Sequence, residues 1–245
     1  MAARFRLQDI TGDPPRIAKR GDPAALAREA AALERLAGVP WAPVLVAHRP
    51  GLLVTTRLPG EPRGAEALTP GDARRLGTVL ASLHARGAAP EGGLWWWDEP
   101  AGDLVAYRRG RVRDAEAALA GTDGAGLASG AAAGPDPGAE PFRMTHGDLV
   151  LANVVWGPGG PGLVDWEFWR WADPAEDLAY AIACNGLPAP VAAALLAGYG
   201  DPAVAARVPG WIPVVAADAA GWYRAEGMAE DAARMLARAR VPPPA

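Results

Sequence analysis

Lysine is nearly missing from this chain of 245 residues: Lys19 is the only one, and the other 23 of its 24 basic residues are arginine. Arginine keeps the charge but is planar, forked and larger, so a position that stays lysine is one where a compact ammonium has to fit. Cysteine is equally scarce. A single Cys184 excludes an intrachain disulfide, offers no cysteine-based zinc pattern, and suits a reducing compartment. No apolar run is long enough to span a bilayer and the N-terminus has no signal-peptide core, so a cytoplasmic protein without a membrane partner is expected. Basic residues are dispersed and the net charge is −4, which argues against a nucleic-acid partner. No G-x-x-x-x-G-K-[ST] occurs, which excludes a P-loop. Nothing in the composition sets an oligomeric state.

What is present is enough for a core. Half of the residues are hydrophobic, sufficient for one large domain or two small lobes. The chain divides near residue 59, at Leu58-Pro59-Gly60-Glu61-Pro62. Before it, strand-like runs (about 4–10, 15–20, 43–48 and 51–57) surround a helix over 23–37, opened by Asp22-Pro23. Thr11-Gly12-Asp13-Pro14-Pro15 reads as a hairpin turn. After it the chain is mostly helical, with helices from Thr69 to about Arg86, over 101–120, and near 175–184, 189–199, 211–226 and 229–240. The stretch 121–140, rich in Gly, Ala, Pro and Ser, reads as a flexible loop.

One constellation carries chemistry. Thr145-His146-Gly147-Asp148 is followed by Asn153, an H-G-D-x-x-x-x-N pattern, and then by Asp165-Trp166-Glu167. Val154-Val155-Trp156 and Leu163-Val164 are β-type runs on either side of a Gly/Pro turn over 157–162. Folding that hairpin about Gly159 brings Asn153 opposite Asp165, where facing Cβ atoms are roughly 4.5–5.5 Å apart. An amide oxygen and a carboxylate together suit a hard, oxygen-seeking ion such as Mg²⁺. Asp148 precedes the hairpin on a loop and is free for another task. The helix after Lys19 can present Glu29 to pair with that ammonium and aim it. The turn formally fits G-x-G-x-x-G, but a strand rather than a helix follows it, so it is read as a turn.

These pieces together resemble the aminoglycoside phosphotransferase and choline kinase group, a branch of the protein-kinase-like fold. The residues that carry the resemblance are Lys19, Arg28-Glu29-Ala30-Ala31, Leu80-Ala81-Ser82-Leu83-His84, Thr145 through Asn153, Val164-Asp165-Trp166-Glu167, and Asp173-Pro174-Ala175-Glu176-Asp177-Leu178-Ala179. The resemblance implies an α+β, two-lobe fold. A small β-rich nucleotide-binding lobe would occupy residues 1–58, and a larger helical lobe, with the catalytic loop and metal-binding hairpin, residues 59–245. It implies ATP or GTP as phosphoryl donor, Mg²⁺ as cofactor and a small-molecule hydroxyl as acceptor. By this likeness Asp148 orients the acceptor hydroxyl or takes its proton, Asn153 and Asp165 ligate Mg²⁺, and Lys19 contacts the α/β phosphates with Glu29 as ion-pair partner. Asp177 is then a structural tie from its helix to the catalytic loop, and His146 packs and hydrogen-bonds that loop. The group also places a first strand and a small-residue loop ahead of the lysine strand. Here only 18 residues precede Lys19, and 4–10 fill most of them as one strand. A non-catalytic, kinase-like nucleotide- or ligand-binding protein is therefore the alternative reading.

The acceptor is less legible. Ten tryptophans include Trp95-Trp96-Trp97, Trp166, Trp169 and Trp171. With Asp98, Glu99 and Asp103 they could make a wall for a cationic, aminoglycoside-like or amino-alcohol acceptor, or serve only as packing. Trp166, Trp169 and Glu167 are the candidates for a substrate pocket. His84 lies on an apolar helix face and is expected to be a satisfied core histidine.

Overall fold

A computed structural model describes residues 5–87, 89, 103–130 and 142–239. The chain divides into two compact units, Met1–Gly64 with His146–Trp169, and Ala65–Thr145 with Arg170–Ala245. An antiparallel sheet dominates the first unit and helices the second, the α+β class expected.

In the first unit, β1 (Arg6–Ile10), β2 (Arg16–Arg20), β3 (Leu45–Arg49) and β4 (Leu52–Thr56) form a sheet in the order β1-β2-β4-β3. All neighbours are antiparallel, and Lys19 pairs with Leu7 on one side and Leu53 on the other. The helix α1 (Pro23–Arg35) starts where sequence chemistry puts it: the Asp22 side chain accepts from the Ala25 N–H at 2.7 Å, and Pro23 occupies the first turn. Its buried face is Ala25, Leu26, Glu29, Ala30, Ala32 and Leu33. A carboxylate inside an otherwise apolar stripe has to find a partner.

The hairpin belongs to this first unit. Its strands are β7 (Val154–Gly157) and β8 (Gly160–Leu163), with β5 (Glu61–Pro62) added to the free edge of β7. Val154 pairs with Leu163 and Gly157 with Gly160, and the next bond runs from Val164 N to Asn153 O at 3.0 Å. Asn153 thus stands opposite Val164, not opposite Asp165 as folding about Gly159 predicts. The turn is two residues, Pro158-Gly159, which shifts the register by one, and a one-residue shift reverses which face every side chain takes.

The second unit is built on α2 (Pro70–His84), α3 (Leu104–Leu119), α4 (Leu127–Gly130), α5 (Pro174–Asn185), α6 (Ala189–Tyr199), α7 (Pro202–Ala225) and α8 (Ala229–Ala239). A reciprocal capping box starts α2: Asp72 N donates to Thr69 Oγ1 and Thr69 N to Asp72 Oδ2. Where α2 meets α6, a Cβ at Gly77 would stand 2.2 Å from Leu195 O, and one at Gly198 would stand 2.1 Å from Arg74 O. Only hydrogen fits at either site. Strands β6 (Arg143–Thr145) and β9 (Arg170–Ala172) pair antiparallel, with Thr145 opposite Arg170. The chain therefore leaves for residues 146–169 and returns at one closed stem.

Three expectations need correction here. Residues 121–126 are turns and 127–130 a short helix rather than part of a loop; 131–140 lie outside the described residues. The helix expected from 211 starts at Pro202, capped by Asp201, and runs through Pro209 and Pro213. Each proline removes one ladder bond. Packing keeps the helix continuous, with Trp211, Val214, Val215, Ala216 and Ala217 fully buried. Asp103, offered as part of an acidic wall, is the N-cap of α3 and accepts from Ala106 N at 2.7 Å; Trp95-Trp96-Trp97, Asp98 and Glu99 lie outside the described residues. Among the described residues no helix is long and apolar enough to cross a membrane.

Candidate active site

Lys19 reaches the site because β2 alternates. Its ammonium donates to Glu29 Oε2 at 2.8 Å and to Asp165 Oδ1 at 2.5 Å, and lies 4.1 Å from the centre of the Phe5 ring. Lys19 and Glu29 are both buried, whereas the Asp165 side chain is about one-third exposed. Burial works against the lysine charge, but the Glu29 and Asp165 carboxylates outweigh it and hold the ammonium above its ordinary pKa. For Glu29, burial is the largest influence and lifts the carboxyl above its ordinary value; Lys19 offsets this only in part, and Asp165 adds to it. One ammonium is shared between two carboxylates.

Asp165 reaches Lys19 through an unusual backbone. It is the one non-glycine residue with positive φ among the described residues, at φ 66° and ψ 66°. Left-handed geometry costs a residue with a Cβ roughly 1–2 kcal/mol, and such outliers persist where surrounding structure holds them. The turn ends the β8 ladder and starts the short 3-10 helix Trp166–Phe168.

Asp148 and Asn153 meet on the loop before the hairpin. Asn153 Nδ2 donates to the Asp148 backbone carbonyl at 3.0 Å and to Asp148 Oδ2 at 3.1 Å. The amide nitrogen is committed to Asp148, so the amide oxygen is the group turned elsewhere. His146, fully buried, braces the loop: the Asp148 N–H donates to Nδ1 at 3.3 Å, and Nε2 donates to Val164 O at 2.9 Å. With Nδ1 accepting, the ring proton sits on Nε2, and both nitrogens are used within the fold.

The hard-oxygen donor set of Asn153 and Asp165 fits Mg²⁺. The Asn153 amide is oriented oxygen-outward by Asp148, and Asp165 uses only Oδ1 on Lys19. Among the described residues no group of three or more His, Cys, Asp or Glu gathers as a metal cage. A site of one amide and one carboxylate is the kind that leaves remaining positions to water and phosphate oxygens.

The substrate-pocket candidates lie on the turn after Asp165. Trp166 is fully buried, donates to Leu163 O at 3.0 Å, and packs against Trp41 and His146; it is core, not wall. Glu167 is also buried, and its carbonyl accepts from Arg28 Nε at 3.1 Å. Trp169 is half-buried and donates to the Arg28 carbonyl at 2.8 Å. Asp177, on α5, meets His84 Nε2 at 3.2 Å, and His84 Nδ1 meets the Tyr199 hydroxyl at 3.0 Å. His84 is the satisfied core histidine expected. Sequence reasoning assigned no part to Phe5, Trp41 or Arg28. Phe5 and Trp41 carry no local pattern; Arg28, adjacent to Glu29 in a helix, was in view without a partner to give it meaning.

The sequence profile described as the phosphotransferase enzyme family matches residues 4–211. Viomycin phosphotransferase of Streptomyces vinaceus is 31% identical over 182 residues, covering 65% of this chain and 59% of that protein. This chain thus spans under two-thirds of that relative's length. Among solved structures, macrolide 2'-phosphotransferase from Brachybacterium faecium superposes with a TM-score of 0.64 at 20% identity, covering 100% of this chain and 91% of that one. Choline kinase from Streptococcus pneumoniae superposes with a TM-score of 0.66 at 15% identity, covering 97% and 90%. Both share the protein-kinase-like fold.

Proposed function

We propose that this chain, which belongs to the phosphotransferase enzyme family, moves the γ-phosphate of ATP or GTP to a hydroxyl of a small acceptor. The observation that carries the reading is the convergence on one nitrogen. The sole lysine, the helix carboxylate Glu29 and the post-hairpin carboxylate Asp165 meet within 2.5–2.8 Å. In this reading Lys19 binds the α/β phosphates and Glu29 holds it in place. Asn153 and Asp165 hold Mg²⁺, which when bound neutralises phosphate charge. Asp148 orients the acceptor hydroxyl and takes its proton. His146 supports the loop that carries Asp148 and Asn153, and Asp177 has a structural part on its own helix.

The chemistry asks little covalent work of the protein. Phosphoryl transfer passes through a loose transition state, so positioning and charge neutralisation dominate. The hydroxyl loses its proton late, and an aspartate of ordinary basicity is sufficient. No covalent enzyme intermediate is required.

The acceptor we favour is a hydroxylated small molecule bearing an amine, in the range from aminoglycoside-like compounds to amino-alcohols such as choline. Viomycin, macrolides and choline in the relatives' names support a small-molecule acceptor.

Thermal stabilisation by ATP and GTP, with and without Mg²⁺, tests the nucleotide site in wild type and Asp165→Ala. Ligand at a hundredfold over its dissociation constant adds roughly 2.7 kcal/mol. A Mg²⁺-dependent shift lost in the variant, followed by phosphorylation in a panel of hydroxylated amines, is the expected result. Binding without turnover across the panel would favour the non-catalytic, kinase-like binding reading, and no shift with either nucleotide would overturn the phosphotransferase reading.

A further inference from the structure

Asp165 lies just beyond the last ladder bond of its hairpin, so the strand pairing that fixes Val164 does not fix it. Within the short turn that follows, Trp169 N donates to Trp166 O at 3.2 Å. Besides the Trp166 indole bond to Leu163 O, α1 ties this turn to a rigid element. Arg28 Nε donates to the Glu167 carbonyl at 3.1 Å, and the Trp169 indole N–H donates back to the Arg28 carbonyl at 2.8 Å. The Arg35 guanidinium, further along the same helix, lies 5.5 Å from the centre of the Trp169 ring. Two hydrogen bonds running in opposite directions join one residue of the helix to two residues of the turn.

The placement of these bonds matters more than their number. Arg28 is adjacent to Glu29 on α1, and Glu167 and Trp169 follow Asp165 on the turn. Glu29 and Asp165 both end on Lys19 Nζ. The chain thus closes a ring: Lys19 to Glu29, along α1 to Arg28, across to Glu167 and Trp169, and back through Asp165 to Lys19. The Arg28 crossing adds to what already links the two carboxylates: the shared ammonium, and a backbone bond from Trp166, the residue after Asp165, to the Glu29 carboxylate. The Arg28 carbonyl lies inside α1, where the helix ladder uses one lone pair and leaves the second for the indole.

We propose that Arg28 and Trp169 are positioning residues: a two-way clamp that holds α1 against the turn and so sets the spacing of Glu29 and Asp165 around Lys19. Its catalytic meaning rests on the reading of those three residues as the nucleotide site, whereas its geometric meaning does not. Trp169 serves this clamp through its N–H to a helix carbonyl.

Because the chain has one lysine, ¹⁵N-lysine labelling yields a single side-chain ammonium signal. In the wild type that signal should persist at neutral pH, held by two carboxylates. Trp169→Phe keeps an aromatic ring and deletes the N–H; Arg28→Ala removes the opposite bond. Both variants should broaden the lysine signal or move it toward that of free lysine. In both, KM for Mg-nucleotide should rise about tenfold, the scale of one lost hydrogen bond, with kcat changing much less. Trp169→Phe should melt close to the wild type.

A wild-type lysine signal in both variants would overturn the clamp, whatever the enzyme turns over. An altered signal with unchanged KM would overturn its positioning role. Absence of any nucleotide effect in the wild type would instead defeat the functional reading, and the lysine signal would still decide the geometry.

Discussion

Asp165 Oδ1 lies 2.5 Å from Lys19 Nζ across 146 positions of sequence. Glu29 Oε2 stands 2.8 Å from the same nitrogen, so the only lysine in the chain is the meeting point of three separate segments: a strand, a helix and the exit of a hairpin. Removing that charge leaves a buried carboxylate uncompensated, and several consequences can be measured.

Lys19→Met should lower stability at neutral pH by about 3 kcal/mol, because breaking a buried ion pair from one side strands the other charge. The sign of the pH dependence follows from the lysine, whose folded value is raised above the ordinary 10.5. Its contribution is complete below pH 10.5 and is lost as pH climbs through the higher folded value. Urea denaturation of both proteins at about pH 7 and in strong alkali should therefore show a gap that closes. A constant gap would mean that the lost stability is packing, not charge.

At Asp165 the backbone and the side chain make separable demands. Asp165→Gly and Asp165→Ala should both lose Mg²⁺-dependent nucleotide binding. The glycine variant should be the more stable by about 1 kcal/mol, since only alanine bears the left-handed penalty at φ 66°. Calorimetric titration with Mg-ATP and thermal melts of the pair separate the two effects. Equal melts would show that the position is not strained.

Asp148→Ala should reduce turnover by on the order of 10²–10⁴-fold, the usual contribution of a positioned base, while Mg-nucleotide still binds. Because the substitution also frees the Asn153 amide from Oδ2, Asp148→Asn is the better control for loop order. Turnover near the wild-type rate in Asp148→Ala would remove this residue from the reaction.

The packing of α2 on α6 should be intolerant of a single methyl. Gly77→Ala and Gly198→Ala each push a Cβ to within 2.2 Å of a backbone oxygen. Each should cost at least about 1–3 kcal/mol, the scale of overpacking a closed interior. In a chain of this size that is a fall of roughly 2–4 °C in melting temperature per kcal/mol. Nucleotide affinity of whatever remains folded should be unchanged, as neither glycine touches Lys19 or its partners.

A nucleotide-directed acylating reagent gives a chemical check on the same nitrogen. Apart from the chain's terminal amine, Lys19 is its one amine, so peptide mapping after treatment with an acyl-phosphate derivative of ATP should find the label there. Excess Mg-ATP should protect it. Label at the terminus alone would argue against a phosphate site at Lys19.

Much of the fold was legible because it is local. Asp22-Pro23 and the start at Thr69 announce helices that form where they say, since a cap and a first-turn proline act within a single helical turn. The α7 start was not, because Pro209 reads locally as a break and only its buried neighbours Trp211 and Val214 keep the helix whole. The hairpin was legible in kind but not in register: composition locates a Gly/Pro turn, and a single residue of loop length decides whether Asn153 faces Val164 or Asp165.

The chemistry-bearing side chains follow the same division. Residue type and spacing were enough to single out Lys19, Asp148, Asn153 and Asp165, because a rare residue or a fixed local spacing is written in one dimension. Which of them touch was decided in three dimensions. Asp165 ends on the lysine, Asn153 on Asp148, the Trp166 indole on Leu163, and the Glu167 carbonyl and Trp169 indole on Arg28. Pairings such as Lys19 with Asp165 and Arg28 with Trp169 join segments more than a hundred residues apart, and no local preference of the chain encodes them; they exist only once packing has brought the segments together.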